Sequence, residues 1–113
     1  MVTAKYKGGR LLISGCLPHY RRPVQEILAL RKVIAMELRG TRLELPLKKK
    51  LALSIIARKH EGGDKEDLAN IVQAVCQALD GSTLGKEDAI LEDDSQIIQI
   101  NARWTVDNPP RAA

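Results

Sequence analysis

The sequence predicts an α+β domain: a small mixed β-sheet packed with two main α-helices. Three observations point to it. Elements alternate as strand, helix, strand, helix, strand; two stretches repeat apolar residues at three- and four-residue spacing; and the last stretch alternates apolar and polar residues. The chain of 113 residues suits one domain, and its 44% hydrophobic content suffices for a core at that size. The domain is expected over residues 10–105, with a flexible N-terminus at 1–9 and a flexible tail at 106–113.

The elements follow in order. Met1 to Gly9 is polar and reads as loose. Arg10 to Ser14 reads as a short strand, and Gly15 to Pro23 as a loop punctuated by one glycine and two prolines. Val24 to Arg39 is helical: Val24, Ile27, Leu28, Leu30, Arg31, Ile34, Ala35 and Leu38 mostly share one face, Pro23 precedes the first turn and Gly40 follows the last. Thr41 to Pro46 connects. Lys48 to Arg58 reads as a central strand, and His60 to Gly63 turns the chain. Asp64 to Leu79 is the clearest helix, with Leu68, Ile71, Val72, Val75 and Leu79 as its apolar stripe. Asp80 to Gly85 ends it, and Lys86 to Asp94 is acidic and irregular. Gln96 to Trp104 alternates as a strand that buries Ile98, Ile100, Ala102 and Trp104.

Charge is divided unevenly. Residues 1–60 carry fourteen basic and three acidic side chains, whereas residues 61–113 carry four and eleven, so the overall +4 conceals a +11 half and a −7 half. That division suits a protein that grips an anion and sets carboxylates beside it; an internal dipole neutralised by folding accounts for it equally well. No apolar run approaches the roughly 20 residues that span a bilayer, and no secretory signal opens the chain, so a cytoplasmic protein is expected. Cys16, Cys76, His19 and His60 share no zinc-ligand spacing, and Cys76 reads as a small buried hydrophobe. With Tyr6, Tyr20 and Trp104 as its full aromatic complement, the chain offers little platform for stacked bases.

Walker, dinucleotide, nucleophile-elbow and zincin motifs are all missing, which leaves the carboxylates. Asp67 opens the second helix, and Asp93 and Asp94 immediately precede the last strand. If helix and strand are neighbours, these acids converge, and converging carboxylates bind a hard cation such as Mg²⁺. The alternatives are a helix cap shared by Asp64 and Asp67 and a solvated turn at Asp93–Asp94.

The segments Asp67-Leu-Ala-Asn70, Ala78-Leu-Asp-Gly81 and Glu92-Asp-Asp-Ser-Gln-Ile-Ile98 resemble the RusA family of Holliday junction resolvases. Its pattern is Asp-x-Asp-Asn with a lysine three residues on, then Asp-Ala-Leu-Asn-Gly, then Asp-Asp-(Ser/Ala)-Gln-(Ile/Val). Ile13-Ser-Gly-Cys-Leu-Pro18 through Arg21-Arg-Pro23 resembles the family's first strand and basic loop, so the likeness covers roughly residues 10–104.

The resemblance implies a homodimeric, Mg²⁺-dependent endonuclease, Mn²⁺ substituting, that resolves four-way DNA junctions by paired symmetric nicks in recombination and repair. It implies a bacterial, phage or prophage origin. By position it makes Asp67 and Asp94 metal ligands and catalytic, with Asp93 beside them, and gives Asn70 a role in ordering the site. Arg21, Arg22, Lys48, Lys49 and Lys50 become the expected DNA contacts, through sequence-independent phosphate neutralisation. The first helix, through Leu28, Leu30, Ile34 and Leu38, is the expected dimer interface.

Three positions depart from the pattern: Ala69 replaces an aspartate, Gln73 the lysine and Gln77 a further aspartate. Either Glu66 and a lysine among Lys65 and Lys48–Lys50 compensate, or the protein is a weakened or inactive binder of branched DNA on the same fold. An unrelated basic module whose acidic segment meets a protein partner is the third reading.

Overall fold

The computed structural model describes residues 2–18, 22–58 and 65–105. Four strands and two helices follow in the order β1 (Val2–Lys7), β2 (Arg10–Gly15), α1 (Val24–Arg39), β3 (Leu51–Ala57), α2 (Lys65–Leu79) and β4 (Ile97–Trp104), with a short 3₁₀ turn at Asp94–Gln96 leading into β4. Side chains of α2 are described from Leu68 onward.

The sheet is mixed and ordered β1-β2-β3-β4, with β1 antiparallel to β2 and the other two pairs parallel. The fold class expected from the pattern is therefore observed. The N-terminus departs from expectation, because Val2–Lys7 form an edge strand rather than a loose arm. Its alternation of Ala4 and Tyr6 with Lys5 and Lys7 is a strand period hidden under polar composition. Gly8 and Gly9, at φ 59° and 76°, supply the consecutive left-handed residues of a tight hairpin. The tail from residue 106 lies outside the described residues.

α1 connects β2 to β3 and α2 connects β3 to β4, both joining parallel neighbours. Right-handed crossovers that advance in one direction put both helices on one face of the sheet. Burial agrees: Leu51, Leu53, Ile55 and Ala57 are buried while Ala52, Ser54 and Ile56 between them are half-exposed. The core lies between that face and the helices, with Ile27, Leu30, Ile34 and Leu38 from α1 and Ile71, Ala74, Val75 and Ala78 from α2. Ala89, Ile90 and Leu91 are buried with it, so the acidic connection before β4 is anchored at its middle.

Two expectations about burial are corrected. Ile98, at a register shift opposite Leu51 and Ala52, and Ile100, on the helix side, are 66% and 47% exposed. The reason is that β4 is the edge strand, with a neighbouring strand on one flank alone. Leu30, Ile34 and Leu38, expected at a dimer interface, are consumed by the chain's own core, leaving Val24, Leu28, Val33 and Met36 exposed on α1. No described helix is long and apolar enough to cross a membrane.

Candidate metal centre

Each parallel crossover returns a helix towards the start of the next strand. The end of α2 therefore meets the start of β4, and Asp80, one residue past the helix, faces Asp93 and Asp94. One carboxylate oxygen from each lies within 4.8 Å of the others. Asp80 is 4% exposed, whereas Asp93 and Asp94 face solvent. Such a set, with an open side for water, matches the oxygen-rich coordination of a hard divalent cation.

Asp80 is fixed by three local devices. Its Oδ1 accepts from the Ser82 amide at 2.8 Å and the Ser82 hydroxyl at 2.7 Å, while no donor among the described residues takes Oδ2. Leu91 donates to Leu79 and Gly81 donates to Leu91, both at 2.9 Å, bracketing Asp80 against the segment that leads to β4. The approach at Gly81 is so close that a Cβ there would lie 2.7 Å from the Leu91 carbonyl oxygen.

The third device is Arg31, 1% exposed on the buried face of α1. Its guanidinium donates to five backbone carbonyls: Ala78 at 2.7 Å, Asp80 at 2.6 Å, Leu84 at 3.5 Å, Gly85 at 2.7 Å and Glu87 at 3.2 Å. It ties the Ala78 and Asp80 carbonyls at the end of α2 to those of the turn that follows and sets a positive charge against the negative pole of that helix. Burial pushes the Arg31 pKa down, opposed by the charges of Asp80 and Asp88, and arginine begins so high that it stays charged.

Asp93 and Asp94 are held by the two residues that follow them. The Ser95 hydroxyl donates to Asp93 at 2.8 Å. The Gln96 side-chain oxygen accepts from the Glu92 and Asp93 amides at 2.9 and 3.1 Å, and its nitrogen donates to the Leu47 and Lys49 carbonyls at 2.8 and 3.0 Å. Gln96 thereby ties the acidic turn to the basic run before β3. Lys48 and Lys49 line an open groove of about 510 Å³ there, together with Tyr6, Leu45 and Pro46.

The site's charges are unevenly balanced. The Ser95 hydrogen bond holds the Asp93 carboxyl below its usual range. Partial desolvation, then the charges of Asp80 and Asp93, push Asp94 up. Cys76, one turn before Asp80, is pushed up to about 11, chiefly by burial and then by Asp94 and Asp80. It is a protonated thiol, partly buried as its place in the apolar pattern implied.

The expected site residues divide accordingly. Asp93 and Asp94 stand in the cluster, and Lys48, Lys49 and Lys50 precede β3 beside it, all exposed. Asn70, half-exposed on α2, does not join it, since ten residues of helix separate it from Asp80 by about 15 Å. Position 67 lies in the first turn of α2, about 20 Å from Asp80 along the axis, and its side chain lies outside the described residues, as do those of Lys65 and Glu66. Arg21 lies outside them too, and Arg22 is exposed, 3.9 Å from Glu26. Ala69 and Gln73 are exposed and Gln77 half-exposed on α2.

Sequence reasoning passed over Asp80 and Arg31. The signal for Asp80 was its place in Ala78-Leu-Asp-Gly81, where the resembled pattern has asparagine and this chain gains a carboxylate. The signal for Arg31 was a charge on an apolar helical stripe, which requires buried partners. No family model matches the chain, and no curated protein or solved structure matches it.

Proposed function

We propose that the protein is a Mg²⁺-dependent, structure-specific DNA endonuclease that resolves four-way junctions by paired nicks. The meeting of Asp80, Asp93 and Asp94 at the end of α2, one carboxylate buried and two open to solvent, supports the divalent cation in this reading, and the likeness of Glu92–Ile98 to the resolvase pattern supplies the four-way junction as its substrate. The donor set fits Mg²⁺: hard oxygen ligands with an open side for water and a phosphate oxygen. A bound ion would activate water and offset the charge that builds on the phosphodiester. Asp80 and Asp94 would hold it, and Asp93, kept ionised by Ser95, would add negative charge or orient a bound water. Lys48 to Lys50 would receive the flanking phosphates. Paired nicks require two sites, and a two-fold homodimer provides them.

The absence of acidic and basic groups at Ala69, Gln73 and Gln77 favours a second reading, a weakened or inactive binder of branched DNA on the same scaffold. A labelled four-way junction incubated with and without Mg²⁺, and run on native and denaturing gels, separates the two. The first reading expects Mg²⁺-dependent nicks that Asp80→Asn and Asp94→Asn each reduce at least a hundredfold while retardation persists. Retardation without nicking establishes the second reading, and no retardation at low salt removes both.

A further inference from the structure

Both helices pack on one side of the sheet, and among the described residues no helix covers the other side. Twelve side chains face outward there, three from each strand: Thr3, Lys5 and Lys7 on β1; Arg10, Leu12 and Ser14 on β2; Ala52, Ser54 and Ile56 on β3; Gln99, Asn101 and Arg103 on β4. None is buried. Strand register sets them in rows, Lys7–Arg10–Ala52–Gln99, Lys5–Leu12–Ser54–Asn101 and Thr3–Ser14–Ile56–Arg103. The face measures about 14 Å along the strands and about 14 Å across them.

Its composition is one-sided. Four of the twelve are basic, five are hydroxyls or carboxamides and none is acidic, so this face carries +4, as much as the whole chain. Side chains on it interact with one another: Arg10 donates to the Ser54 hydroxyl at 3.3 Å, and the Thr3 and Ser14 hydroxyls share a hydrogen bond at 2.7 Å. Lys5, Lys7 and Arg103 have no ion-pair partner among the described residues.

We propose that this open sheet face binds the sugar–phosphate backbone of nucleic acid, without reading sequence. Lysine, arginine, serine, threonine, asparagine and glutamine are the side chains that bond to phosphate oxygens, and they make up nine of the twelve. A lipid surface is a poorer fit, because membrane docking needs a continuous protruding apolar face and Leu12, Ala52 and Ile56 are half-buried among polar neighbours. A stacked base is also a poorer fit, since no aromatic lies on this face. The basic row at Lys7 and Arg10 ends at the Gly8–Gly9 turn, whose Gly9 carbonyl accepts from Ala52 at 2.9 Å, just past Lys48–Lys50. The face therefore opens toward the sheet end that holds the acidic cluster. Backbone binding here shares with the proposed function only its class of ligand and does not depend on the metal centre.

The test is fluorescence anisotropy of a labelled 20-base-pair duplex over a salt series in EDTA, so that nuclease activity plays no part. The variant Lys5→Gln/Lys7→Gln/Arg10→Gln/Arg103→Gln should bind at least tenfold more weakly at low salt. For every phosphate that the variant no longer neutralises, the slope of log K against log salt should fall by about 0.9. Because these side chains are exposed, the variant should melt as the parent does; if it does not, the pair Lys5→Gln/Lys7→Gln replaces it, with a fall in slope of about 1.8 expected. Unchanged affinity and slope would overturn the proposal. So would a parent protein that ignores the duplex while binding vesicles of anionic phospholipid. Failure to nick a junction with the slope change intact would refute the nuclease reading alone.

Discussion

At the scale of single residues, Arg31 carries the largest structural responsibility. It is a buried charge that anchors five carbonyls. Arg31→Met removes every donor and leaves the Ala78 and Asp80 carbonyls buried, and should destabilise the fold by about 3–5 kcal/mol, read from urea unfolding. Arg31→Lys keeps the charge but lacks the planar fork, so its stability should fall between that variant and the parent. The two cysteines offer a chemical check. With Cys76 pushed up to about 11, roughly one thiol in a thousand is ionised there at pH 8. Cys16 is exposed and should be alkylated first by iodoacetamide, with Cys76 modified only on unfolding. Equal rates at both positions in the folded protein would contradict the packing around α2.

Between elements, the decisive joint is where α2 hands over to β4. Gly81 is closely packed there against the backbone of Leu91. Gly81→Ala should cost about 1–3 kcal/mol by forcing the two backbones apart, measurable by thermal melting, and should loosen Asp80 with it. The same joint explains how much of the site was legible. Periodicity exposes both helices, β3 and β4, because apolar residues at three- and four-residue or two-residue spacing have one way to reach a core. The Asp93–Asp94 turn is legible as well, since Ser95 and Gln96 are the residues that hold it. The choice of Asp67 as its partner rested on convergence with the start of α2. Parallel connectivity dictates the opposite: a crossover helix runs back along the sheet, so its end, not its start, reaches the next strand. Nothing in local pattern conveys that reversal before the strand directions are known. β1 escaped for a different reason, its lysines reading as a solvated arm until β2 pairs with it.

For the molecule as a whole, the division of charge becomes a division of surfaces. The basic half supplies most of the open sheet face's charge and the lysines before β3, while the acidic half supplies the carboxylates at the end of α2. Concentrating three carboxylates costs stability when no cation is bound. The Asp94 carboxyl is pushed above its usual range, so the folded state holds that proton more tightly than the unfolded state does. Its contribution to stability is therefore present below the ordinary carboxylate range and lost as pH rises through the raised value. Asp94→Asn should accordingly raise the melting temperature at pH 7 in EDTA, though it removes a proposed ligand. A fall in melting temperature would mean that attraction to its surroundings outweighs the desolvation and the repulsion by Asp80 and Asp93 at Asp94. Divalent cation should stabilise the parent protein at pH 7, and that gain should shrink on acidification as Asp94 takes up a proton.

The central claim is that Asp80, Asp93 and Asp94 form one cation site, and titration with Mn²⁺ followed by electron paramagnetic resonance tests it most directly. A single bound Mn²⁺ per chain is expected, displaced by Mg²⁺ and weakened at least tenfold by Asp80→Asn with the fold intact. Binding unchanged in Asp80→Asn, or no bound Mn²⁺ in the parent protein, would contradict it.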